Sequence, residues 1–310
     1  MISSILDQFS IQGPNGTYIC YVGALARASL AGLKDESWIR LFQLDVARVL
    51  AAQLVLAVEY IHAQGYVHGD LHLGNILLEM PPGFNQLSIE RLYQEYGENP
   101  VIHLDNKHKP LLPNIPSHGV VPVWLGKASE EITPAEAKLL TDFGEAFSPS
   151  QESKYESRTP LVLRPPEARF EPETPLSFPS DIWTLACSIW ALIAQRPLFE
   201  GFLATQDDMT CEHVGALGIL PREWWVKWDS RHGRFTEDGT PIGRNPYRSW
   251  DDRFEDSVQQ LRRESGMFLF DEEERNAVSV MLRKMLAFRP EDRVTARQVL
   301  EGVDGEMGFT

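Results

Sequence analysis

The stretch Tyr66-Val67-His68-Gly69-Asp70-Leu71-His72-Leu73-Gly74-Asn75-Ile76-Leu77-Leu78 sets an acid, two histidines and an amide between apolar runs. That order reads as a loop between a helix and a strand, with the carboxylate of Asp70 and the amide of Asn75 on one side. Phosphoryl transfer asks for such a pair. A carboxylate can orient an attacking hydroxyl and accept its proton, and an amide oxygen can bind a hard Mg²⁺ ion. A second carboxylate must hold the metal against the phosphates. Thr141-Asp142-Phe143-Gly144 supplies it, after the strand-like Ala137-Lys138-Leu139-Leu140. Alone, Asp70 could equally be a loop aspartate making a turn, and either short motif could arise by chance. The apolar flanks, the spacing from Asp70 to Asn75 and the later Asp142 together make the chemical reading specific.

The elements that must position these residues are legible on both sides. Upstream, Val46, Val49, Leu50, Leu54, Ala57, Val58 and Ile61 recur at helical spacing from Leu44, and Gly65 offers a left-handed stop. Downstream, Ile76-Leu77-Leu78 is a short buried strand. The chain opens with two strands, Ser4–Ile11 and Thr17–Val22, joined at Gly13-Pro14-Asn15-Gly16, where Asn-Gly is a strong hairpin signal. Residues 81–134 hold eight of the 21 prolines and predict a mostly irregular insertion, either functional or a plain surface excursion. Leu185 to Ala194 is too short an apolar run to span a bilayer, and Trp183, Ile189, Trp190, Leu192 and Ile193 predict a helix buried on every side. Trp224, Trp225 and Trp228 read as core. A last amphipathic helix from about Glu272 carries Ala277, Val278, Met281, Leu282 and Met285 on one face.

Composition is that of a globular protein, with 43% hydrophobic and 24% charged residues. Cys20, Cys187 and Cys211 are odd in number and widely spaced, which suits neither a disulfide framework nor a zinc site. With no secretory signal at the start, the expected compartment is the cytoplasm or nucleus. A formal net charge of -15 argues against nucleic acid or an anionic membrane as partner and is compatible with a basic protein substrate. The oligomeric state stays open.

With these residues in hand, the chain resembles the eukaryotic protein kinases. His68-Gly69-Asp70-Leu71-His72-Leu73-Gly74-Asn75 stands for their catalytic loop and Asp142-Phe143-Gly144 for their metal-binding motif. Further on, Pro165-Pro166-Glu167 resembles the end of an activation segment. Ser180-Asp181-Ile182-Trp183 resembles the start of the central large-lobe helix, and Arg289-Pro290-Glu291-Asp292-Arg293 a turn that returns to the first of these. The opening hairpin is similar to that of the SR-protein kinases and their fungal relatives. The resemblance implies an α+β protein-kinase-like fold, with residues 1–27 a small-lobe remnant and hinge and 28–310 a mainly helical large lobe. It implies a serine/threonine kinase using ATP and Mg²⁺ on a protein substrate, with Arg/Ser-rich proteins as one candidate class. Asp70 would be the catalytic base, Asn75 and Asp142 the metal ligands, and Ala24 and Ala26 the hinge positions meeting adenine. His68 would brace the loop, Asp181 would anchor the central helix, and Arg293 would pair with Glu167.

Three departures qualify that expectation. Gly69 replaces the arginine usual before the catalytic aspartate. His72 stands where serine/threonine kinases carry a lysine that touches the γ-phosphate; it could donate there or simply face solvent. The hairpin region holds no lysine and no GxGxxG, so the chain reads as a fragment with impaired ATP binding, its phosphate-pairing lysine upstream of residue 1. Two other readings stay open: a pseudokinase used as an interaction platform, and a small-molecule phosphotransferase of the aminoglycoside or choline type. The Pro-Pro-Glu element and the Arg293 turn favour a protein kinase over the latter.

Overall fold

The first strands, β1 (Asp7–Gly13) and β2 (Gly16–Val22), pair antiparallel from Asp7↔Val22 to Gly13↔Gly16. The computed structural model describes residues 5–81, 83–97, 101–103, 118–121, 123–137, 139–141, 143–243 and 247–302, so the expected start at Ser4 lies outside it. The two-residue turn is Pro14-Asn15, not Asn15-Gly16, and neither of its residues takes a positive φ. Proline's ring fixes φ near −65°, which claims the first turn position and pushes Gly16 into the strand. Phe9, Ile11, Tyr18, Ile19 and Tyr21 of the hairpin are exposed.

Residues 23–25 lead into β3 (Ala26–Ser29) and α1 (Leu30–Glu36), whose first turn is capped by Ser29 Oγ accepting from Gly32 N at 3.1 Å. The long helix α2 (Leu44–Ala63) buries Val46, Leu50, Leu54, Val58 and Ile61 along one stripe. It stops where Gly65 turns to φ +82: Gly65 N donates to His62 O and Tyr66 N reaches back to Ile61 O. This crossed pair satisfies carbonyls that the helix end would otherwise leave bare. The chain then runs through the loop into β4 (Ile76–Glu79).

The segment after β4 is more ordered than expected. Helix α3 (Ile89–Tyr96) starts with Ser88 Oγ accepting from Arg91 N, and β5 (Val101–His103) pairs with β6 (His118–Val120). Ile89, Leu92, Tyr93 and Tyr96 do follow helical spacing, but eight residues are too few to stand out among prolines. Arg27 of β3 ties the far end of the insertion down, donating to Leu125 O and Glu136 Oε1, both at 2.8 Å. Strand β7 (Leu139–Thr141) closes a three-stranded antiparallel sheet in the order β3-β4-β7, with Ile76 opposite Thr141. The loop before β4 and the motif after β7 are thereby brought to one end of the sheet.

The remainder is helical: α4 (Glu167–Phe170), α5 (Phe178–Ile193), α6 (Gln206–Leu217), α7 (Arg222–Lys227), α8 (Trp250–Phe254), α9 (Gln260–Glu264), α10 (Glu272–Met285) and α11 (Ala296–Glu301). Helix α5 is apolar nearly all round and buried, in one core with α2 and the Met281, Leu282 and Met285 face of α10. Trp224, Trp225 and Trp228 form a second cluster with Phe170 and Phe235. No helix among the described residues is long and apolar enough to cross a membrane.

Three buried cations brace this core. Arg293 donates through Nη1 and Nη2 to Glu167 Oε1 and Oε2 at 2.8 and 2.6 Å, and its guanidinium lies 5.1 Å from the Trp183 ring centre. At the other end of α5, Lys34 Nζ donates to the carbonyls of Ala191 and Ala194, and Arg262 to that of Ile193. Carbonyls at a helix C-terminus have no intrahelical donor, and cations there also meet the negative end of the helix dipole.

Two of these cations yield expected outcomes. Glu167→Ala leaves the Arg293 charge buried without its carboxylate and should lower stability by roughly 3–5 kcal/mol in urea unfolding. A shift within the noise of surface substitutions would contradict this. Burial pushes the Lys34 amine down to about 7 from 10.5, with the charges of Arg40 and Arg262 acting the same way. The folded chain then binds fewer protons than the unfolded chain between these values. Stability should therefore rise with pH across that window, by at most about 1.4 kcal/mol per pH unit. A neutral amine keeps two N–H donors, so both carbonyl bonds survive. Lys34→Met should flatten the slope; equal slopes in both proteins would show the amine charged throughout.

Candidate functional site

The loop from Tyr66 to Asn75 is fixed from three directions. Val67 and Phe147 exchange backbone bonds, Val67 N to Phe147 O at 2.8 Å and Phe147 N to Val67 O at 3.0 Å, which joins the loop to the segment after β7. Leu71 and Leu73 point into the core, and Leu73 O accepts from Ala31 N at 3.0 Å. The third hold is Asp181, in the first turn of α5 and almost fully buried. Its carboxylate accepts from His68 N at 2.6 Å and Gly69 N at 3.0 Å, and lies 3.0 Å from His62 Nε2 in the last turn of α2.

Gly69 looks different in three dimensions from its reading as a lost arginine. Its φ is +79, and a Cβ there would meet the Glu145 carbonyl oxygen at 2.8 Å. A side chain is excluded by both backbone conformation and space. Lys154 holds that same carbonyl, donating to Glu145 O at 3.0 Å with its ammonium 5.1 Å over the Phe147 ring. A cation is thus present in this region, contributed by the later segment. Thr159 Oγ1 approaches Gly69 O at 3.4 Å.

Asp70 and Asn75 face each other as their spacing suggests. Asn75 Nδ2 donates to Asp70 Oδ2 at 2.9 Å and to the Asp70 backbone oxygen at 3.0 Å. Both amide hydrogens are spent on Asp70, which leaves the Asn75 side-chain oxygen as the atom free to accept or to ligate. Asp70 Oδ1 is buried with no hydrogen-bond partner, an arrangement that costs free energy. His72 Nε2 lies 3.5 Å from Asp70 Oδ2, and His68 packs against Phe143 with ring centres 5.3 Å apart.

His68, Asp70, His72, Asn75 and Asp181 are therefore gathered at one place. Glu167 and Arg293 pair with each other, and Arg293 reaches the start of α5 through Pro179 O. Ala24 lies in the exposed link after β2, and Ala26 opens β3 opposite Glu79 of β4. Asp142 lies outside the described residues. Fit to a hard divalent cation rests on the chemistry of the Asn75 side-chain oxygen, whose amide nitrogen is spent on Asp70; among the described residues no group of three His, Cys, Asp or Glu could hold a metal ion. Sequence reasoning missed His62 and Lys154. His62, in the last turn of a helix ending at the loop, carried a faint signal; Lys154 carried none.

No family model matches the chain. It is 23% identical, over 97% of its length and 70% of the relative's, to a serine/threonine-protein kinase SRPK of Physarum polycephalum. A serine/threonine protein kinase of Aspergillus fumigatus is 24% identical over 97% of this chain and 68% of its own. Protein kinase dsk1 of Schizosaccharomyces pombe is 33% identical over 78 residues, 25% of this chain and 14% of its own. Among solved structures, a crystallised kinase domain superposes with a TM-score of 0.59 at 14% identity, covering 97% of this chain and 76% of its own. The chain has the protein-kinase fold, a helical large lobe with one small-lobe-type hairpin, and is similar in sequence to SRPK-type and fungal serine/threonine protein kinases.

Proposed function

We propose that this chain transfers the γ-phosphoryl group of ATP to serine or threonine hydroxyls of a protein substrate flanked by arginine, acting in the cytoplasm or nucleus. The observation that carries the reading is the Asp70 carboxylate oriented by Asn75 Nδ2, which donates to its Oδ2 and to its backbone oxygen. In this reading the Asp70 carboxylate accepts the proton of the substrate hydroxyl as its oxygen bonds to phosphorus and the bond to the ADP oxygen breaks. Asn75 and Asp142 would hold Mg²⁺, which neutralises charge on the phosphates. Backbone groups near Ala24 and Ala26 would meet adenine, with 1–27 as hairpin and hinge and 28–310 as the lobe carrying the chemistry. The arginine preference is supported by the SRPK name of the Physarum relative.

A second reading has its own support. No lysine precedes Lys34, and Lys34 is spent on the carbonyls of α5. The described residues thus offer no lysine on β1, β2 or β3 to pair with phosphates, which favours weak ATP binding or use as an interaction platform. Poor placement of the reacting groups can cost on the order of a hundredfold.

One experiment separates these readings. Radiolabelled phosphate incorporation into an Arg-Ser peptide should be slow, should rise with ATP without saturating, and should vanish in Asp70→Asn. It should exceed incorporation into an acidic peptide, and the gap should narrow as salt screens the attraction. Incorporation no greater than the Asp70→Asn background would leave the platform reading, and equal rates on both peptides would remove the arginine preference.

A further inference from the structure

His72 is the residue at this site whose type departs from the lysine usual in serine/threonine kinases, and its surroundings specify more than its identity. Its Nδ1 accepts a hydrogen bond from Gly74 N at 3.0 Å. A backbone N–H can only donate, so Nδ1 must present its lone pair and the ring proton must sit on Nε2. That nitrogen lies 3.5 Å from Asp70 Oδ2, within a small ring movement of a hydrogen bond. The same Asp70 oxygen already accepts from Asn75 Nδ2 at 2.9 Å.

Gly74 is fitted to this arrangement by more than its amide. A Cβ on Gly74 would stand 2.8 Å from His72 Cε1 and 2.9 Å from Nδ1. The imidazole therefore lies against the bare face of the glycine, and any side chain there would displace it. Asn75 N, donating to His72 O at 2.9 Å, closes the turn that brings Gly74 under the ring.

We propose that Gly74 locks His72 as an Nε2–H donor directed at Asp70 Oδ2, making His72 a positioning residue for the base. With Oδ2 bonded by Asn75 on one side and approached by the His72 Nε2–H on the other, the carboxylate is restrained in one orientation. The lysine it replaces would bring three rotatable donors on a flexible stem; the imidazole brings one donor in a fixed direction. This role rests on the phosphotransfer reading above, whereas the tautomer does not.

The tautomer is read directly by ¹⁵N NMR of the full chain labelled at its eight histidines, with the His72 signals identified by their loss in His72→Gln. The expected pattern is one protonated Nε2 and one bare Nδ1. It should be lost in Gly74→Ala, where the ring is displaced. A protonated Nδ1 or an averaged pattern in the unmodified chain would overturn the proposal, whether or not Gly74→Ala folds. Phosphate incorporation tests the consequence. The amide nitrogen of a glutamine reaches the place of imidazole Nε2, and that of an asparagine the place of Nδ1. His72→Ala should lose about tenfold or more. His72→Gln should recover most of that loss and His72→Asn should not. Recovery by asparagine alone would mean that the ring merely braces Gly74, and would overturn the positioning role. If no protein transfers phosphate in an Asp70-dependent way, the kinase reading fails, and the imidazole signals still decide the tautomer.

Discussion

The carboxylate of Asp181 is the interaction on which the site depends. It sits in the first turn of a helix that is buried on nearly every side, so the core fixes its position. From there it accepts two consecutive backbone amides, His68 N and Gly69 N, and lies against His62 of the preceding helix. Charged acceptors of this kind form stronger bonds than neutral ones, and two adjacent donors on one carboxylate fix the direction of the chain as well as its place. The left-handed turn at Gly69 follows from it. With both amides turned toward α5, the next residue, Asp70, is sent to the opposite side, where Asn75 receives it.

Much of this architecture is legible in the sequence because it rests on local pattern. The helical spacing from Val46 to Ile61, the stop at Gly65 and the short run Ile76-Leu77-Leu78 define the helix, loop and strand around Asp70. What is not legible depends on contacts between distant segments or on short elements. His62 and Asp181 are 119 residues apart and meet only when α2 and α5 pack. Gly69 reads in one dimension as an arginine removed; in three it is a backbone requirement, since the Glu145 carbonyl occupies the space a side chain would need. Helix α3 escaped notice because two turns among prolines give too few repeats. The hairpin junction lies at Gly13–Gly16 as expected, but proline's fixed φ makes Pro14-Asn15 its central pair in place of Asn15-Gly16.

The acidic balance also changes meaning once the folded chain is seen. Asp207, Asp208 and Glu212, part of the acidic balance, lie together on α6. Each is occupied: Asp207 by Arg169, Asp208 by Arg234 and Glu212 by Arg253, at 2.5, 2.9 and 2.8 Å. Bonds from Thr205 and Arg234 hold the Asp208 carboxyl down at about 2, so it stays ionised and paired across the ordinary pH range. Attraction of an arginine-rich substrate would then have to come from acidic side chains elsewhere, and as a long-range effect it would be sensitive to salt.

Helix α5 connects these features because it is restrained at both ends by different chemistry. Its first turn presents a carboxylate to the loop carrying Asp70, and Arg293 bonds Pro179 O there while holding Glu167 of α4. Its last carbonyls are taken by Lys34 and Arg262, which reach it from α1 and α9. A rigid, apolar helix held in this way transmits position without needing to move. The loop carrying Asp70 is registered against the same body that registers α4, and therefore the segment from Lys154 to Pro166 that leads into it. Lys154 completes the connection from the other side by fixing the Glu145 carbonyl against Gly69. In this chain the loop and the later segment are joined by the Val67–Phe147 backbone bonds, and the Glu145 carbonyl that Lys154 holds packs against Gly69 where an arginine side chain cannot fit. Their relative placement therefore follows from packing and the hydrogen bonds already present.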